Sequence, residues 1–250
     1  MLPAELRAFA EAPDRYTILS PDVERFADER VCIAQGLTWA AVSDIRTDDV
    51  EALVAETRER IDAGKHPIWW IGPSAEPSDL FERLEALGFR EPADRATWLY
   101  AMASVTAPPE APGIEVRVVA TFDDYLAAAQ VGWDAFGFSE ERRERERPHL
   151  RRMFEAGGPS AFLAFLDGEP VGVGRSVYSD RGVFLIGGAV LEHARGRGVY
   201  RALVKARFDD AVRRGTPGMI VEAMPDTSYP ILKRIGFEEV CIVRRLEDPR

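Results

Sequence analysis

Residues 183–204, Val-Phe-Leu-Ile-Gly-Gly-Ala-Val-Leu-Glu-His-Ala-Arg-Gly-Arg-Gly-Val-Tyr-Arg-Ala-Leu-Val, constrain this chain more than any other stretch. The apolar run from Val183 to Leu191 has the length of a buried strand. A short polar passage leads into Arg195-Gly196-Arg197-Gly198, and helix-forming residues resume at Val199. The first turn of a helix carries N–H groups without intrahelical acceptors and the positive end of the helix dipole. Gly196 and Gly198 allow positive φ and close backbone approach, while Arg195 and Arg197 add permanent charge. A strand, a glycine turn and a helix start in this order predict a site for a phosphate-bearing ligand.

The remaining composition narrows the class. A chain of 250 residues, 46% hydrophobic and 30% charged, has ample length and apolar content for a packed core. Its net charge of −10 argues against general nucleic-acid binding and suits a cationic substrate such as an amine. Cys32 and Cys241 form no CxxC pair and read as reduced, buried thiols. His66, His149 and His193 share no ligand spacing, so no metal site is expected. The amino-terminal residues lack a secretory pattern, and the longest apolar run is too short to span a bilayer. A soluble cytoplasmic protein with no membrane partner is the expectation.

Ser104-Val-Thr-Ala-Pro-Pro-Glu-Ala-Pro-Gly113 is the strongest linker signal, which divides the chain into 1–105, a linker at 106–113, and 114–250. The two parts repeat a pattern. Arg46-Thr-Asp-Asp-Val50 and Arg195-Gly-Arg-Gly-Val199 each follow a strand and open an amphipathic helix. Leu84-Glu-Ala-Leu-Gly-Phe89 and Leu232-Lys-Arg-Ile-Gly-Phe237 then close each copy. Arg46 to Gly88 spans 42 residues and Arg195 to Gly236 spans 41. The first copy carries Asp48-Asp49 where the second has Arg197-Gly198, and carboxylates there stabilise the helix but repel a phosphate. The ligand site is therefore expected in the second copy alone.

Periodicity fills in the elements. The first part should hold a helix from Leu2 to Ala12, a strand at Tyr16–Leu19, a charged helical or loop segment at 21–29, and one bent or two short strands over 31–46. A helix from Val50 through Ile61, a strand at His66–Gly72 with Trp69 and Trp70 in the core, a helix over 80–87 and a strand over 95–103 follow. The second part should read strand 114–119, a helix from Thr121 or Asp123 to Trp133, a charged helix capped by Ser139 and running, with an interruption at Pro148, to about Phe154, and a hairpin of 161–166 with 171–178 turning at Asp167-Gly168. After the 183–191 strand come a helix from Val199 stopped by Gly215 and Pro217, a strand at 219–222, a helix over 226–235 and a strand at 239–246.

The stretch Gly188–Val204 resembles the acetyl-CoA-binding motif of the GNAT N-acetyltransferases, Arg/Gln-x-x-Gly-x-Gly/Ala, matched by Arg195, Gly198 and, imperfectly, Tyr200. Ile235-Gly236-Phe237 is similar to that family's Leu-Gly-Phe. The resemblance covers about 114–246 and implies an α/β (α+β) fold: two GNAT-like domains, each a mixed, largely antiparallel sheet flanked by helices, the amino-terminal copy degenerate or truncated. It implies transfer of an acetyl group from acetyl-CoA to a small-molecule or peptide amine by direct attack. Ala189 and Val190 would hold the pantetheine arm and polarise the thioester. Arg195, Gly196, Arg197, Gly198, Val199 and Tyr200 would hold the pyrophosphate, joined by Ser228 at the next helix start.

This chain departs from the family where the acid should be. The tyrosine often found four residues before the Gly of Gly-Phe is Leu232 here, leaving Tyr229, beside Pro230, as the substitute acid or as a packing residue. Glu222, at a strand end, is the candidate base or a salt-bridged glutamate. Trp133, Phe136 and Phe138 lie where the family covers its acceptor, and equally suit a core. Homodimerisation stays open. Two rival readings are a non-catalytic acetyl-CoA-binding or interaction protein on the same fold, and a Rossmann-type dinucleotide binder. The latter lacks its third glycine, Arg201 standing in its place.

Overall fold

The computed structural model describes residues 1–93, 96–216 and 218–249. In chain order the elements are α1 (Ala4–Glu11), α2 (Pro13–Tyr16), β1 (Glu24–Ala27), β2 (Cys32–Gln35), β3 (Ala40–Ser43), α3 (Val50–Arg60), β4 (Ile68–Ile71), α4 (Leu80–Ala86) and β5 (Trp98–Ser104). Beyond the linker come β6 (Ile114–Val118), α5 (Phe122–Phe136), α6 (Glu140–Glu146), α7 (Leu150–Glu155), β7 (Ser160–Leu166), β8 (Glu169–Ser179), β9 (Gly182–Val190), α8 (Val199–Arg213), β10 (Met219–Ala223), α9 (Ser228–Arg234) and β11 (Glu238–Glu247). Arg95, the first residue of an expected strand, and Pro217, an expected helix stop, lie outside the described residues.

Most elements follow from local chemistry. Thr121 and Ser139 cap α5 and α6 by accepting from the N–H groups of Asp124 and Arg142, and Gly137 ends α5 in the left-handed region. Asp167 and Gly168, with φ of 54° and 85°, make the β7–β8 turn. Two neighbouring expectations fail. Tyr16–Leu19 is not a strand: Tyr16 ends α2 and packs with Leu19 as an apolar anchor against the α1 core. The strand lies instead in the charged 21–29 stretch, as β1, an edge strand that half-buries Phe26 alone. Four residues with one inward apolar side chain carry too little periodicity to be recognised.

Among the described residues the strands join one mixed, mostly antiparallel sheet in the order β1-β2-β3-β4-β11-β5-β10-β9-β8-β7-β6. The halves exchange their last strands. β11, from the end of the chain, pairs with β4, and β5, from before the linker, pairs with β10. β5 and β11 then pair with each other. Only β3–β4 and β9–β10 are parallel among the described residues, which excludes the doubly wound parallel sheet a Rossmann reading requires.

The sheet is packed on both faces. On one, α8 and α9 cover Val183, Leu185, Met219, Val221 and Ala223 with Val204, Phe208, Ala211 and Leu232. On the other, α1 and the segment before it set Leu2, Leu6 and Phe9 against Ala101, Ala103, Phe184, Ile220 and Val243. A separate core beneath α3 and α4 centres on Trp69, edge-on to Phe89. Trp70 faces the α1 side instead. Among the described residues no helix is long and apolar enough to cross a membrane.

Candidate active site

The glycine turn leads into α8 with its donors open. Gly196 and Gly198 take φ of 75° and 89°, in the region that favours glycine. Gly198 is the N-cap, and no side chain caps it. The first intrahelical bond joins the Ala202 N–H to the Gly198 carbonyl at 3.0 Å. The N–H groups of Val199, Tyr200 and Arg201 occupy the first turn of a 15-residue helix, the arrangement that favours an anion. Arg195 Nε donates back to the Val190 carbonyl at 3.2 Å, tying the turn to the end of β9. Arg197 makes an exposed 3.3 Å pair with Asp167.

Among the described residues β9 and β10 pair only at Val183–Met219 and Phe184–Ile220. Beyond that register β9 runs on to Val190 and β10 to Ala223 unpaired with each other, so a splayed gap opens beneath the start of α8. Ala189 and Val190 lie on its β9 side.

The corresponding place in the first half is sealed. Glu76 donates its N–H to the Ile45 carbonyl at 2.9 Å and accepts from the Thr47 N–H at 3.1 Å, closing the gap beyond β3 and β4. Asp49 caps α3 by accepting from the Ala52 N–H at 2.9 Å. Asp44 holds Arg46 and Arg15 at 2.6 and 2.8 Å. Backbone groups left open beside α8 are consumed beside α3.

Glu222 and Tyr229 stand on opposite faces of the sheet, on either side of β10. Glu222 shares the α1 face with Ile220 and is half-buried. Burial pushes its pKa up to about 8, the negative charge of Asp14 adds to the rise, and Arg245 opposes it. Tyr229 belongs to the α8–α9 face, its ring stacked 3.8 Å from Tyr100. Its hydroxyl donates to Glu239 Oε2 at 3.0 Å and accepts from Lys233 Nζ at 3.4 Å. Leu232, at the position of the family tyrosine, is fully buried. Ser228 Oγ accepts from the Met224 N–H at 2.9 Å, bracing the turn into α9.

The acceptor candidates divide. Trp133 is buried among Ala129, Leu150, Tyr125 and Phe122, with its indole N–H on Glu146 at 2.9 Å. Phe138 is covered by the Arg142 guanidinium, 3.5 Å from its ring centroid. Phe136 is 54% exposed and carries no core packing. The Tyr200 ring turns inward against Gly188 of β9, leaving only its backbone at the turn. Asp14 escaped sequence reasoning altogether. It belongs to α2, and nothing local connects that helix with β10, 200 residues later.

Among the described residues no cluster of three or more His, Cys, Asp and Glu side chains could hold a metal ion. Residues 125–237 match the sequence model of the acetyltransferase (GNAT) family. No curated protein matches the chain. Among solved structures, a GCN5-related N-acetyltransferase from Kribbella flavida is similar over 100% of this chain and 97% of its own, at 17% identity and a TM-score of 0.72. One from Sphaerobacter thermophilus covers 99% of this chain and 96% of its own, at 18% identity and a TM-score of 0.58. A tandem GNAT protein from the clavulanic acid biosynthesis pathway covers 98% of this chain and 88% of its own, at 15% identity and a TM-score of 0.59. These likenesses establish the fold, and the matched segment holds the glycine turn, the splayed gap and α8. Residues 125–237 of this chain belong to the GNAT acetyltransferase family.

Proposed function

We propose that the protein transfers an acetyl group from acetyl-CoA to an amine at the gap between β9 and β10, by direct attack in a ternary complex. The observation that carries this reading is the uncapped Gly198 start of α8, packed through Val199 on the Val190 end of β9, where β9 no longer pairs with β10. The residues fit the cofactor: two positive-φ glycines, open first-turn donors and the charges of Arg195 and Arg197 suit a pyrophosphate. Ala189 and Val190 offer strand backbone to a pantetheine arm, and Ser228 borders the neighbouring helix start. When bound, acetyl-CoA supplies the acetyl group as an activated thioester.

The chain's own residues would do the rest. Glu222, reaching the gap from the α1 face, takes a proton from the substrate ammonium, and the neutral amine then attacks the thioester carbonyl. The end of β9 supplies donors for the carbonyl oxygen as negative charge develops there. Tyr229, from the opposite face, is the candidate to return a proton to the departing thiolate. Phe136 and Phe138 border the acceptor side, while Trp133 holds their helix in place. The residues 1–105 form a degenerate copy whose gap is closed by the Glu76 backbone and whose helix start is capped by the Asp49 side chain, with 106–113 as the connecting segment.

Two measurements test this. Calorimetric titration should show acetyl-CoA binding and no NAD binding. A thiol-release assay over a panel of small amines, amino acids and peptide amines should identify a turnover substrate. Binding without turnover across the panel would favour the non-catalytic alternative instead.

A further inference from the structure

Arg207, on the third turn of α8, is a buried cation that nothing above employs. It is 1% exposed. Its guanidinium faces neutral acceptors: Nε donates to the Leu203 carbonyl at 3.0 Å, Nη1 donates to the Arg175 carbonyl at 3.3 Å, and the Tyr200 hydroxyl is a further hydrogen-bonding neighbour. Nη2 is buried without a partner, and Arg207 makes no ion pair among the described residues. Burying a charge without a counter-ion is costly, so well-packed apolar residues generally serve a core better.

The surrounding strands are shaped to admit it. A Cβ at Gly174 would lie 2.9 Å from the guanidinium carbon, and one at Gly188 would lie 2.9 Å from the Tyr200 ring and 3.7 Å from Nη2. Both β8 and β9 thus keep a glycine where Arg207 and Tyr200 enter. The unpartnered nitrogen is the one aimed at Gly188, two residues before Val190. Arg175, whose carbonyl is held, sits at the bulge where the β8–β9 register shifts. Tyr200 belongs to the first turn of α8, so one guanidinium contacts the helix start, the bulge and the approach to the gap.

We propose that Arg207 is a positioning residue for acetyl transfer: held beneath α8, it fixes Tyr200 and the bulged β8–β9 ladder so that the Gly188–Val190 end of β9 faces the gap. This rests on the acetyl-transfer reading. The role is exerted through Tyr200 and β9, since Arg207 itself is sealed from the gap.

The test compares wild type with Arg207→Met, Arg207→Lys and Tyr200→Phe, measuring melting temperature, acetyl-CoA affinity by calorimetry, and kcat and KM with the best amine of the panel. Arg207→Met should fold with an unchanged or raised melting temperature, because an apolar side chain of similar length replaces an uncompensated ion. Acetyl-CoA affinity should stay within ~3-fold while kcat falls by at least ~10-fold, the signature of a loss confined to the transition state. Arg207→Lys should recover part of kcat. If Arg207→Met fails to fold, Tyr200→Phe decides, with an expected ~3- to 10-fold loss of kcat at constant KM. Equal kcat in wild type and the folded variant would overturn the role and leave the proposed function standing. Absence of turnover in wild type over the whole panel would overturn both.

Discussion

Arg58 and Asp248, 190 residues apart, form a two-pronged ion pair with N···O distances of 2.9 and 2.8 Å. Asp248 is fully buried and follows directly on β11, so the pair fastens the end of the exchanged strand to α3. Each half borrows its neighbour's last strand, and this pair locks one side of the exchange. Arg58→Ala removes the guanidinium from a buried carboxylate and should cost about 2–4 kcal/mol. Urea unfolding followed by tryptophan fluorescence and by far-ultraviolet circular dichroism should give one coincident, weakened transition. Two separate transitions in wild type would contradict a shared sheet.

The raised pKa of Glu222 fixes a pH dependence in both activity and stability. A base with a pKa of about 8 is ionised only as pH rises through that value, so kcat/KM should climb to a plateau above it. Asp14→Asn removes a neighbouring negative charge and should move this limb to lower pH, which titration of the substrate amine alone cannot do. For stability the sign is opposite. An acid held at about 8 in the fold against an ordinary 4.5 stabilises below 4.5, and that contribution is lost as pH rises toward 8. Glu222→Gln should therefore lose the activity limb and flatten the fall in melting temperature over that window. A limb unchanged in both variants would remove Glu222 from the chemistry.

Tyr229 offers a narrower test. Its ring stacks on Tyr100 while its hydroxyl is shared by Glu239 and Lys233. Tyr229→Phe keeps the stack, so melting should change by no more than the ~1 kcal/mol of an ordinary hydrogen bond. If the hydroxyl protonates the thiolate, kcat falls ~10- to 100-fold. An unchanged kcat would assign Tyr229 to packing alone.

Because the first half is sealed at Glu76 and capped by Asp49, acetyl-CoA should bind with one site per chain. Asp49→Ala should cost about 1 kcal/mol as a lost helix cap while leaving stoichiometry and affinity unchanged. Calorimetry reads both, and two sites per chain would contradict the sealed reading.

Much of this was legible in the sequence because the responsible chemistry is local. The Gly196–Gly198 turn, the Thr121 and Ser139 caps and the Asp167-Gly168 hairpin each depend on residues within a few positions. Strand exchange was not legible. β5 and β11 carry the same apolar alternation whichever neighbour they pair with, so no pattern says that Ala101 opposes Glu222 or that Trp70 opposes Arg245. The environment of Glu222 was hidden for the same reason, since Asp14 comes near it only after α1 packs on β10 and carries α2 beside it. Tyr200 showed the limit of reading a motif by position: its backbone stays at the turn, but glycine at 188 opens an inward space for the ring.

The central claim is that the turn at Gly198 holds the cofactor. Calorimetric titration of acetyl-CoA into wild type and Gly198→Asp tests it most directly, with Gly198→Ala to separate backbone strain from charge. A Cβ at Gly198 meets only ordinary contacts, at 3.5 Å from Arg201 and 3.6 Å from Ala111, so the positive φ is the only steric objection and the variants should fold with about 1–2 kcal/mol of loss. The account predicts ~100-fold or greater loss of affinity in Gly198→Asp and a much smaller loss in Gly198→Ala. Wild-type affinity retained in a folded Gly198→Asp protein would contradict it.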